Sequence, residues 1–165
     1  MRLNLNPFRT SLRHIVCTLV SVPAFVWAAT TVTVKVTVVA PPSCVINDNK
    51  TIDVDFGTVV GPSVDGQKYM KTVDYTLECK GHTSNAMKMM IKGNPTTFDS
   101  SALQTNIADF GIALKANGET IGINDWVNFT YPDKPALQAV PVKKSGSTPA
   151  GGDFQAAATL MIAYQ

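Results

Sequence analysis

Cys79-Lys80-Gly81-His82 sets a thiol and an imidazole three residues apart, a spacing at which two side chains can reach one metal ion. A closed zinc site needs four such ligands, and His82 is the only histidine after His14. The same scarcity removes a histidine-centred nucleophile with a choice of partners. Asp53 and Asp55 could pair as acid and base, but they alternate with Ile52 and Val54, the pattern of a strand's solvent face. Met87, Met89 and Ile91 share one strand face and read as core filling, with Lys88 and Lys92 solvated on the other. No glycine motif that could cradle a phosphate is present. The residues therefore predict no catalytic site, no metal site and no cofactor.

The cysteines carry a different chemistry. Residues 1–28 read as a secretory signal: Arg2, Arg9, Arg13 and His14 begin it, Ile15 to Trp27 is mostly apolar, and Val26-Trp27-Ala28 suits cleavage. The apolar run is short of the roughly 20 residues a membrane span needs, an uncleaved anchor being the alternative. Cleavage after Ala28 takes Cys17 away and leaves Cys44 and Cys79, in an exported chain most simply a disulfide, two free thiols being the alternative. It also removes three of the 14 basic residues and none of the 12 acids, so a net charge of +2 becomes about −1. No basic stripe for nucleic acid remains, and no membrane anchor is expected in the mature form.

Two alternating segments bracket what is left. Thr31 to Ala40 puts Val32, Val34, Val36 and Val38 on one face. Asp153 to Gln165 puts Phe154, Ala156, Ala158, Leu160, Ile162 and Tyr164 on one face. Period-two alternation of this kind predicts half-buried β-strands. A sheet whose last strand is also the end of the chain exposes an edge that can template pairing. Pro41-Pro42 separates the first segment from the rest, since proline cannot donate to a ladder, so that segment can stand out as an arm.

Between them, strands are predicted near Thr51–Val59, Thr72–Cys79, Met87–Ile91, Phe110–Lys115, Glu119–Ile123, Trp126–Thr130 and Leu137–Val142. Asn117-Gly118 predicts a tight hairpin, and Thr96–Ile107 a short helix or an irregular crossing. Many short strands between turns give an all-β sandwich of immunoglobulin-like type.

Taken in order, Val32–Ala40, Cys44-Val45-Ile46-Asn47, Asp55-Phe56-Gly57, Leu77-Glu78-Cys79 and Gly152-Asp153-Phe154 through Ala163-Tyr164-Gln165 resemble the pilins of bacterial chaperone–usher fimbriae. The likeness is greatest to the minor tip and adaptor pilins of P-type pili. Such subunits usually carry a glycine at one inward position of the arm, and residues 30–40 contain none.

The resemblance implies an incomplete immunoglobulin-like sandwich lacking its last strand. Residues 1–28 would be the signal, 29–42 a donor-strand extension and 43–165 the pilin domain. It implies Val32, Val34, Val36 and Val38 as donated side chains, and a groove or chaperone-binding surface at Phe154, Ala156, Ala158, Leu160, Ile162, Tyr164 and Gln165. The implied partners are a periplasmic chaperone, an outer-membrane usher and neighbouring fimbrial subunits, with export through the periplasm to the cell surface. A self-contained exported binding module, such as a lectin-like adhesin domain, is the alternative.

Overall fold

In the computed structural model the described residues are 42–165. The predicted signal, and the predicted arm with Val32, Val34, Val36 and Val38, lie outside them. Ten strands run through this part: β1 (Ser43–Ile46), β2 (Lys71–Val73), β3 (Leu77–Lys80), β4 (Ala86–Gly93), β5 (Ala102–Gln104), β6 (Phe110–Ala116), β7 (Glu119–Ile121), β8 (Trp126–Thr130), β9 (Leu137–Lys143) and β10 (Ala158–Tyr164). The described residues contain no α-helix, only 3-10 turns at Asn47–Asn49 and Gly61–Ser63.

All ladders are antiparallel. One sheet runs β10-β4-β8, a second β2-β9-β6-β5 with β7 also on β6, and β1 pairs β3 separately. The alternation of β4 turns Met87, Met89 and Ile91 inward, the two methionines at 0% and 1% exposure. They meet Ile112 and Leu114 of β6 and Leu137 and Ala139 of β9, closing one core between the sheets. A smaller cluster of Ala102, Ala113 and Val140 lies apart from it, packed by Met70 and Val142. Gly93, the last residue of β4, packs closely: a Cβ there would stand 2.5 Å from Leu103 Cδ2, so the leucine side chain would have to shift.

The strand expected over Thr72–Cys79 divides in two. Tyr75 interrupts it by turning into the core, where its hydroxyl donates to the Pro135 carbonyl at 2.7 Å. Asn117-Gly118 does join β6 to β7. The helix-or-crossing segment proves to hold β5, which pairs β6 because Ala102 and Leu103 are both buried.

Cys44 and Cys79 form a disulfide and face each other in the β1–β3 ladder. It closes a loop with a sequence separation of 35 residues. Chain entropy assigns such a crosslink about 3 to 4 kcal/mol. Denaturant unfolding of the Cys44→Ser/Cys79→Ser variant is expected to show a loss of that order, and an unchanged midpoint would contradict it. Burial pushes the Tyr75 hydroxyl up to about 12 from its ordinary value of 10.0. The raised folded value means its contribution is complete below pH 10 and lost as pH climbs from about 10 to 12. Tyr75→Phe is expected to cost about 1 kcal/mol at neutral pH and to flatten part of the alkaline decline in stability, read by urea titration at neutral pH and at about pH 11.

Candidate functional site

Residues 51–57 have the alternation of a strand without its ladder. Ile52, Val54 and Phe56 turn toward the core, and Asp53 and Asp55 are exposed. The expected Thr51–Val59 strand is thus right in its faces, but among the described residues it makes no ladder. Its ends are held by side chains. Asn47 Nδ2 donates to the carbonyls of Lys50 (3.1 Å) and Thr51 (3.2 Å), and Asp55 Oδ1 accepts from the Gly57 N–H at 2.8 Å. Gly57 then turns the chain away at φ +61°, a left-handed conformation that glycine adopts without strain.

The opposite wall comes from the end of the chain. β10 pairs β4 through seven residues, Ala158 with Gly93 to Tyr164 with Met87. Among the described residues its other edge has no ladder. The regular strand is shorter than the expected Asp153–Gln165, because β4 ends at Gly93 and offers residues 153–157 nothing to pair with.

Between the walls lies a cavity of about 670 Å³. Its floor is the core itself: Ile91, Leu103, Ile112, Leu114, Leu137 and Ala139. Ile52, Val54 and Phe56 line one side, and Phe154, Ala156, Ala158 and Leu160 the other. At one end the walls touch, with the Phe56 and Phe154 rings 6.0 Å apart and Phe154 edge-on to Phe110 at 5.0 Å.

Ile162 and Tyr164 do not line the cavity; they pack on the core further along β10. The Tyr164 hydroxyl accepts from the Thr83 N–H at 3.0 Å. Gln165 fixes the chain's end, its Nε2 donating to the carbonyls of Met87 (2.9 Å) and Phe129 (3.1 Å). The wall at Ile52, Val54 and Phe56 and the whole floor are additions to the residues expected of this site. The alternation around Asp53 and Asp55 was the signal for the wall.

No buried side-chain polar atom among the described residues lacks a partner, so nothing polar in the groove floor awaits a ligand. Nor do the described residues contain a group of three or more metal-ligating side chains. Cys79 is in the disulfide, and His82 Nδ1 lies 3.1 Å from the Cys79 carbonyl with its ring edge-on to Tyr131. What the groove can do is accept an extended apolar segment. Two facing edges supply main-chain hydrogen bonds, and the floor takes every second side chain.

Residues 32–165 match the family model described as fimbrial protein. An uncharacterized fimbrial-like protein of Escherichia coli (strain K12), YfcR, is 37% identical over 136 residues, covering 79% of this chain and 78% of its own. The fimbrial adapter PapF of Escherichia coli is 27% identical over 140 residues, covering 74% and 81%. Among solved structures, the P pilus adaptor subunit PapF has a TM-score of 0.56 at 25% identity, covering 76% of this chain and 98% of that one. The P pilus rod subunit PapA has a TM-score of 0.61 at 23% identity, covering 76% and 100%, a likeness of fold alone. The open sandwich is the immunoglobulin-like fold of pilins lacking a strand, and the chain belongs to the fimbrial protein family, the subunits of chaperone–usher pili.

Proposed function

We propose that this chain is a minor, adaptor-type pilus subunit that polymerises by donor-strand exchange. The observation that carries the reading is the groove, in which two edges without a ladder face each other across an apolar floor. A periplasmic chaperone lends a strand there first, an outer-membrane usher receives the pair, and a neighbouring subunit's arm then takes the strand's place. Residues 29–42 are this chain's own arm, offered to the groove of the next subunit. Burying Val32, Val34, Val36 and Val38 in such a groove gains roughly 6 to 12 kcal/mol before ordering costs, enough to hold a fibre without covalent links. The likeness to PapF, a fimbrial adapter, supports the adaptor role. Residues 1–28 direct export, and the disulfide suits the oxidising periplasm.

The test is a variant of the mature chain carrying a second copy of Thr31–Ala40 after Gln165 on a short flexible linker. It is expected to melt cooperatively and more than about 15 °C above the unextended chain. Equal melting of the two would mean a complete fold and would favour a self-contained binding module instead. A second variant separates donating from accepting. Val34→Asp/Val36→Asp is expected to leave the chain's own melting unchanged while abolishing capture of its arm by a partner chain truncated before residue 43, read by size-exclusion chromatography. Loss of its own stability would place the arm inside its own domain.

A further inference from the structure

Asn106 stands where one residue of a neighbouring strand would stand. Its Nδ2 donates to the Asp153 carbonyl at 2.9 Å, and its Oδ1 accepts from the Gln155 N–H at 2.8 Å. Those are the two bonds that one residue of a parallel strand neighbour makes with residues 153 and 155, made here by one side-chain amide. The position matters because β4 has run out. Gly93 is its last residue, and Gly93's own N–H and C=O are both bonded to the Asn124 side chain at 3.1 Å. Phe154 lies between the two bonded residues and closes the groove's end against Phe56 and Phe110.

We propose that Asn106 is a positioning residue for strand acceptance: it holds residues 153–155 extended before a donor arrives, and so sets how the far end of an incoming strand fits beside Phe154. The inference rests on the donor-strand reading above. Chemistry narrows the residue. Alanine makes neither bond, and aspartate keeps the acceptor for Gln155 but loses the donor to Asp153.

A strand returning after Gln165 runs antiparallel to β10, so its first residues lie near Tyr164 and its last reach Phe154. Asn106→Ala is therefore made in two strand-extended variants, one carrying Thr31–Ala40 and one cut back to Thr31–Val36. Urea unfolding is expected to give about a tenfold loss in the folding constant with the long strand, and less than about threefold with the short one. Asn106→Asp is expected to recover part of the loss with the long strand. Equal losses in both forms would overturn the proposal, leaving Asn106 a bond of the domain alone. If the long strand adds no stability to the parent chain, the donor-strand reading has failed and the positioning role goes with it.

Discussion

A main-chain amide beside an apolar core must be paired, and along the open edge of β10 the described residues supply no ladder. Sheets normally blunt an exposed edge with proline, charge or a bulge. β10, Ala-Thr-Leu-Met-Ile-Ala-Tyr, has neither proline nor charge. Its protected edge carries seven paired residues, so a strand can come and go on one side while the other stays laddered. Edge chemistry that would be an aggregation hazard elsewhere becomes, under the donor-strand proposal, the means of assembly.

The wall facing β10 has less support. The 51–57 wall hangs between an asparagine-anchored turn and a glycine, without a strand neighbour among the described residues. Side-chain amides do repeatedly what a ladder would do. Asn47 ties the start of that wall, Asn124 ends β4, and Asn106 extends the line of β10. Below them the core is filled by flexible thioethers. Met87 Sδ sits 3.8 Å from Cys79 Sγ, and Met89 Sδ 3.9 Å from the Tyr75 hydroxyl. Methionine fills irregular space well, which suits a sandwich whose two sheets are not closed on both sides.

Much of this was legible because alternation reports which face a side chain takes. It identified Met87, Met89 and Ile91 as the inward set of β4. Alternation does not report whether a strand has a neighbour. Ile52, Val54 and Phe56 therefore read like any paired strand, although the lack of a ladder is what makes them a groove wall. β5 buries two consecutive residues, Ala102 and Leu103, so it lacks the alternation that marks a strand, and β1 has only four residues in which to show it. The division at Tyr75 follows from one buried hydroxyl finding Pro135, 60 residues away. The Asn106 bonds span 47 and 49 residues and leave no mark on local composition.

The disulfide has a mechanical meaning as well as a thermodynamic one. Tension applied at Pro42 reaches Cys44 within two residues and can cross the sulfur bridge directly to Cys79 in β3. Residues 45–78, which include the 51–57 wall, lie in a branch that this covalent shortcut bypasses. Along the covalent chain, a pull thus passes from Cys44 to Cys79 without stretching the 51–57 wall.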